Sequence, residues 1–112
     1  MVTFSENTIN LYNSDVLYNG NINLANHDHY DDNFVFNFNS YESGGYLLSF
    51  LTNRNNYLYM FFYVQSGNVI HHHFIYAHSI EDTNFSNNVF SVRFTNNPAL
   101  TAKFLQFSVR KA

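Results

Sequence analysis

Histidine is the residue type in this chain whose spacing could support chemistry. The chain has 112 residues and six His, five of which fall in two tight groups. On a β-strand, alternate residues point to the same side, so a His-x-His pair presents two imidazoles to one divalent metal ion. The candidate metal ligands are therefore His27 with His29, and His71 with His73. Each pair supplies half of a coordination shell. Either the two pairs meet within one chain, or one pair repeats around a symmetry axis.

Both groups also have a purely structural interpretation. Residues 27–32 read as a polar segment that links two strands, and residues 71–73 read as strand positions whose imidazoles hydrogen-bond to neighbours, because His is intermediate in burial. His78 stands alone, and we expect it to be structural. A divalent transition metal held by His is thus one expectation for a cofactor.

Catalytic motifs do not appear in the sequence. It has no Cys nucleophile and no Gly-x-Ser-x-Gly elbow, and the Gly44-Gly45 pair lacks the strand and helix that flank a phosphate-binding loop. We therefore expect no catalytic residues and no enzymatic activity. The enzyme alternative is a small metal-dependent cupin-like protein, since His27-x-His29 resembles the start of the cupin metal motif. The Glu, Gly and His that continue that motif do not follow.

Tyrosine and asparagine provide a second candidate site. Tyr rings stack on the C–H faces of sugars while amides pair with hydroxyl groups, and loops on a rigid scaffold commonly carry binding residues. The candidate ligand-binding residues are Tyr41, Asn53, Arg54, Asn55, Tyr57 and Tyr59. For the alternating aromatic residues from 57 to 63, the competing interpretation is core or interface packing.

Strands must position all of these residues, because helical periodicity is almost absent. Apolar and polar residues alternate with a period of two, which is typical of half-buried strands. This alternation occurs in residues 9–11, 22–24, 34–38, 90–94 and 105–109. Asn and Gly pairs mark turns between them. About eight short strands, spaced roughly 8–12 residues apart, predict an all-β protein. The expected architecture is an antiparallel β-sandwich or jelly-roll-like single domain over residues 1–112.

The central hairpin gives a register and an oligomeric state. A two-residue turn at Ser66-Gly67 would set Val64 against Val69, Phe62 against His71 and Met60 against His73. His71 and His73 would then be buried with apolar neighbours. Neither face of this hairpin is polar, and a two-layer sandwich covers only one face. We therefore predict that the second face contacts another subunit.

Composition excludes two classes of partner. Five basic residues and a net charge of −3 provide no cationic surface, so we expect no nucleic-acid binding. The longest apolar stretch, residues 57–64, is far shorter than the roughly 18 residues of a membrane span, and the N-terminus does not resemble a signal peptide. We expect neither membrane insertion nor targeting.

The segments 17–20, 22–24 and 30–36 carry a resemblance. Together they resemble the C-terminal receptor-binding head modules of tail fibres of phages of low-GC Gram-positive bacteria, over mainly residues 9–65 and a final strand at 104–110. The resemblance implies a trimeric β-sandwich at a fibre tip in the virion that binds a cell-surface saccharide or protein. It also implies a metal on the threefold axis, held by His71 and His73 or by His27 and His29.

The leading hypothesis is accordingly a non-enzymatic, homotrimeric binding module of viral or phage fibre type. The alternative from another class is a structural self-assembling protein, such as a capsid or inclusion component, because the charge is low and aromatic residues and Asn are abundant.

Overall fold

The computed structural model describes residues 3–5, 8–12, 19–23, 31–52, 55–95 and 104–112, and these residues form ten strands. The strands are β1 (Thr3–Ser5), β2 (Thr8–Tyr12), β3 (Asn19–Asn23), β4 (Asp31–Asn39), β5 (Gly44–Thr52), β6 (Tyr57–Gln65), β7 (Asn68–His78), β8 (Ile80–Ser86), β9 (Val89–Thr95) and β10 (Phe104–Lys111).

Two five-stranded sheets pack face to face around one core. Sheet A has the order β1-β2-β4-β9-β8, and sheet B has the order β3-β10-β5-β6-β7. Neighbouring strands are antiparallel except for β2 and β4, which run parallel. The all-β class and the β-sandwich are confirmed. Closely spaced turns divide the chain into ten strands, where the sequence predicted about eight.

An aromatic layer joins the two sheets. Phe36 of sheet A lies 6.0 Å, centroid to centroid, from both Phe50 and Phe107 of sheet B. Phe38 of sheet A lies 4.6 Å from Phe62 of sheet B. All five rings are at most 3% exposed. Since burying one such ring stabilises a fold by roughly 1.5–3 kcal/mol, this layer supplies much of the driving force for closing the sandwich.

The outward side of sheet A is polar. Arg93 of β9 donates hydrogen bonds to Glu81 and to Asp82, the latter across 2.7 Å from Nε to Oδ2. Asn37 of β4 donates to the Oδ1 of Asn10 at 2.9 Å. This side of the sandwich therefore satisfies its charges and amides locally, as a solvated sheet face does.

Two Asn side chains hold the ends of β7, the edge strand of sheet B. At one end, Asn88 accepts a hydrogen bond from the Val69 amide and donates one to the Gly67 carbonyl, each at 2.9 Å. At the other end, Asn56 donates to the Ser79 carbonyl at 2.7 Å. An edge strand lacks a neighbour on one side, so these bonds replace part of the missing restraint.

Asn56 is the more completely buried of the two. Its side chain is fully buried, and its Oδ1 accepts a hydrogen bond of 2.7 Å from the Thr52 hydroxyl. The Thr52 amide donates a hydrogen bond of 2.9 Å to the Asn56 carbonyl, which closes the β5–β6 loop. A buried amide with its partners in place is stabilising, whereas removing it leaves the partners desolvated and unpaired.

The β6–β7 hairpin differs from the predicted register. Gln65 opposes Asn68 and Val64 opposes Val69, as predicted, but Tyr63 then opposes His71. One extra residue, Ile70, lies in a β-bulge at that point, and a second, Ile75, lies between the pairs Tyr59–Tyr76 and Met60–Phe74. A bulge shifts the alternation of side chains by one residue. The predicted pairings of Phe62 with His71 and of Met60 with His73 are therefore wrong.

The bulge at Ile70 exchanges imidazoles for an aromatic ring at the core. Without it, His71 and His73 would face the apolar interior. With it, Phe74 turns inward, 6.1 Å from Phe90, and the ring of His72 packs 5.4 Å from Phe85. Burying a phenyl ring is favourable, whereas burying imidazoles without partners is costly. The predicted burial of His71 and His73 is accordingly wrong, and both are exposed.

Replacing Asn56 by Ala tests the restraint on β7. We expect the free energy of unfolding to fall by about 2 kcal/mol or more, because the Thr52 hydroxyl and the Ser79 carbonyl lose their partner in a buried setting. The matched control is Asn84→Ala, at an exposed position of β8, which we expect to change stability by at most about 0.5 kcal/mol. Urea denaturation measures both. Equal effects in the two variants would contradict the role of Asn56.

Candidate ligand-binding face

The outward side of sheet B carries the candidate site, and we call it the outer face. The strand registers align its side chains in rows that cross β7, β6, β5 and β10. The first row is His78, Tyr57, Leu51 and Gln106; the second is Tyr76, Tyr59, Ser49 and Ser108; the third is His73, Phe61, Leu47 and Arg110. One half of the face is thus aromatic and imidazole-rich, and the other half combines serine, glutamine and arginine side chains with two leucines.

Three stacked rings form a platform in the aromatic half. The rings of Tyr57 and Tyr76 lie 5.2 Å apart and 7° from parallel, and those of Tyr57 and His78 lie 5.1 Å apart at 19°. The hydroxyls of Tyr57 and Tyr76 share a hydrogen bond of 3.3 Å. This bond is the main cause that raises the pKa of Tyr57 above the usual tyrosine value, with smaller contributions from desolvation and from the proximity of the other phenol. Tyr57 is half-buried and Tyr76 is exposed, so part of this stack is accessible at the surface.

A shallow depression occupies the polar half, beside the Tyr rings. Its volume is about 280 Å³, and it is lined by Ser49, Phe50, Leu51, Gln106, Phe107 and Ser108. The hydroxyls of Ser49 and Ser108 are hydrogen-bonded across the strand pair at 2.8 Å. Side-chain hydroxyls and an amide beside aromatic rings are the groups that recognise a polyhydroxylated ligand.

Arg110 lies in the third row, one row beyond Ser108 of this depression. Its Nη2 donates a hydrogen bond of 3.0 Å to the hydroxyl of Tyr59, one row away. Among the described residues, no carboxylate pairs with Arg110. Its neighbour Lys111 approaches Glu42 instead, with 3.7 Å between Nζ and Oε2. The guanidinium of Arg110 is therefore the charged group that the outer face offers to a ligand.

Gly45, just beyond the third row, leaves room for a neighbouring aromatic ring because it has no side chain. The ring of Phe61 lies over Gly45, where an added Cβ would come within 2.7 Å of the ring. Covering a strand glycine with a neighbouring aromatic ring compensates for its missing side chain. The Phe61 ring is consequently packed against backbone, and it supports the aromatic half of the face.

The structure separates the predicted ligand-binding residues. Tyr57 and Tyr59 lie together on the outer face. Asn55 is exposed in the β5–β6 turn, with a φ of 65°. Tyr41 is only 4% exposed and packs edge-on against core rings, so it belongs to the core and cannot meet a surface ligand. Asn53 and Arg54 lie outside the described residues.

Of the two predicted pairs of metal ligands, the structure describes only His71 and His73, which supply half of a coordination shell. His71 and His73 share the outer face, as expected for a strand, and face Tyr63 and Phe61. In the described ranges, no group of three or more His, Asp or Glu side chains is arranged to hold a metal ion. His27 and His29 lie outside those ranges. Metal binding through these pairs stays a prediction.

Several residues of the face were not among the predicted ligand-binding residues. They are Tyr76, His78, Ser49, Gln106, Ser108 and Arg110. Ser49 and Ser108 lie 59 positions apart, and nothing local in either strand indicates that they meet. The alternation within residues 105–109 did indicate that Gln106 and Ser108 point away from the core. Simple alternation also places Tyr76 on the side of Tyr57 and Tyr59, but the predicted register pairs it with Tyr57, whereas the bulges align it with Tyr59.

Comparison of the chain with family models, curated proteins and solved structures returns no match. Within the residues that the structure describes, no helix is present that could cross a membrane. The geometry of the outer face is therefore what a functional assignment must rest on.

A pH titration of the phenols tests the Tyr57–Tyr76 pair. We expect the pKa of Tyr57 to lie above that of an ordinary tyrosine and to fall back in Tyr76→Phe, which removes the hydroxyl partner while keeping a ring. Residue-resolved NMR of the tyrosine Cζ carbons measures this. Tyr63→Phe, on the same face, is the control and should leave the pKa of Tyr57 unchanged. No change in Tyr76→Phe would contradict the pairing.

Proposed function

We propose that the chain is a non-enzymatic, oligomeric binding module that recognises a saccharide with the outer face of sheet B. The observation that carries this proposal is the adjacency of the stacked rings of Tyr57 and Tyr76 to the hydroxyl-lined depression at Ser49 and Ser108. Sugars present C–H patches to aromatic rings and hydroxyls to polar groups, so they need both surfaces side by side.

The contrast between the two sheets supports this choice of face. The outward side of sheet A pairs its charges internally through Arg93, whereas the outer face of sheet B exposes aromatic rings and an arginine without a carboxylate partner. Binding surfaces are enriched in Tyr and Arg relative to ordinary protein surface. The resemblance to phage receptor-binding heads supplies the proposed setting, which is a virion fibre and a saccharide on the host cell surface.

Removing the rings tests saccharide binding. We expect Tyr57→Ala and Tyr59→Ala each to weaken binding to the best glycan on an array by about tenfold, because one stacked ring and its hydrogen bond contribute on the order of 1–2 kcal/mol. Tyr12→Ala is the matched control, since Tyr12 is an exposed tyrosine of sheet A. Thermal unfolding verifies that each variant is folded. Binding that survives both outer-face substitutions would contradict the proposed site.

Self-association through β7 is the second part of the proposal. The strand contains no charged residue in eleven positions, and Ile70 and Ile75 are each at least 50% exposed. Apolar side chains on an uncharged edge strand favour contact with a second copy of the chain. The same strand of the copy is also uncharged, so no charged side chain has to be buried in the contact. The same observation favours the alternative of a structural self-assembling protein, which would form large assemblies without binding glycans.

Light scattering at micromolar concentration tests the assembly. We expect a closed oligomer, with a trimer as the state that the resemblance implies, and we expect Ile75→Lys to reduce its mass. Val89→Lys is the matched control, because Val89 is a similarly exposed apolar residue of sheet A. A monomeric native chain would contradict this part of the proposal. Metal analysis of the same sample decides whether His71 and His73 hold one metal ion per three chains.

A further inference from the structure

The outer face of sheet B has an asymmetric charge. Arg110 is the single formally charged side chain on this face among the described residues. The described acidic side chains whose contacts are known lie elsewhere: Glu81 and Asp82 bind Arg93, and Glu42 approaches Lys111. Although the chain has more acidic than basic residues, no carboxylate lies on this face among the side chains that the structure describes.

Arg110 is also held in place for a ligand. Its hydrogen bond to the Tyr59 hydroxyl uses one N–H group and holds the guanidinium at the row that also contains Ser49 and Ser108 of the depression. A guanidinium has five N–H donors in a planar fork that matches the two oxygens of a carboxylate or phosphate. Among the described residues, no carboxylate contacts this fork. Its strongest interaction, a charge-assisted pair of hydrogen bonds, is therefore left for a ligand.

We infer that the saccharide recognised by this face is anionic, and that Arg110 pairs with its carboxylate or phosphate group. This inference rests on the proposed saccharide binding and adds the ligand class and the residue that selects it. In the bound state, the sugar ring lies on the Tyr57–Tyr59 side and its hydroxyls meet Ser49, Ser108 and Gln106. The acidic group of the saccharide pairs with Arg110. Tyr59 is a positioning residue, because its hydroxyl holds the guanidinium in place.

The test begins with an array of neutral, carboxylated and phosphorylated oligosaccharides at pH 7.5. We expect the acidic members to bind and their neutral methyl esters or dephosphorylated forms to bind at least tenfold more weakly, since a charge-assisted pair is worth that much. The two acidic classes distinguish a carboxylate from a phosphate as the group bound. Equal binding of an acidic glycan and its neutral form would overturn the inference and leave saccharide binding intact. No binding to any glycan would overturn both proposals.

The variants assign the effect to Arg110. Using the best acidic glycan from the array, we expect Arg110→Gln to weaken binding about tenfold or more and to abolish the preference over the neutral form. Lys111→Gln removes the same charge from the next residue of β10, whose side chain approaches Glu42, and should change affinity less than threefold. Tyr59→Phe keeps the ring and removes the acceptor that positions the guanidinium, so it should reduce the preference for the acidic form. Equal losses in the Arg110 and Lys111 variants would show only general charge attraction and would overturn the inference.

Discussion

The packing of phenylalanine rings between the two sheets is the interaction on which the rest of this structure depends. Phe36 and Phe38 of β4 meet Phe50, Phe62 and Phe107 of sheet B, and the rings interdigitate across the interface. Because every second residue of β5, β6 and β10 must point into this layer, the residues between them must point outward. The outer face, with its tyrosines, serines and Arg110, is therefore a direct consequence of the way the core is filled.

In β7, the edge strand of sheet B, regular alternation of side chains would bury the wrong residues. Strict alternation along β7 would carry His71 and His73 into the core. The bulge at Ile70 prevents this, and the bulge at Ile75 shifts the register again beyond Phe74. The conformation exposes two isoleucines and gains the inward placement of Phe74, while Asn56 and Asn88 hold the strand ends to neighbouring loops. The exposed isoleucines and the histidine-bearing outer face thus have one physical origin.

The two exteriors of the sandwich pair their polar side chains differently. On the outward side of sheet A, Arg93 binds Glu81 and Asp82, whereas sheet B leaves aromatic rings half-exposed beside hydroxyls and a guanidinium. Surfaces that only face water gain nothing from the second arrangement, because exposed rings are poorly solvated and an unpaired guanidinium contributes nothing to stability. A surface that binds a polyhydroxylated ligand uses all of these groups.

The sequence by itself determined the class of fold, the strands from 34 to 38 and 90 to 94, the turn at Ser66-Gly67 and the outward position of Tyr57 and Tyr59. Alternation of apolar and polar residues is a local signal, and it is sufficient wherever a strand is regular. Only the tertiary structure decided that Tyr41 fills the core, that His71 and His73 face outward, and that Ser49, Ser108 and Arg110 join the tyrosines. The reason is physical. A bulge forms where inter-sheet packing outweighs alternation, and contacts between strands distant in sequence depend on strand order, which no local pattern specifies.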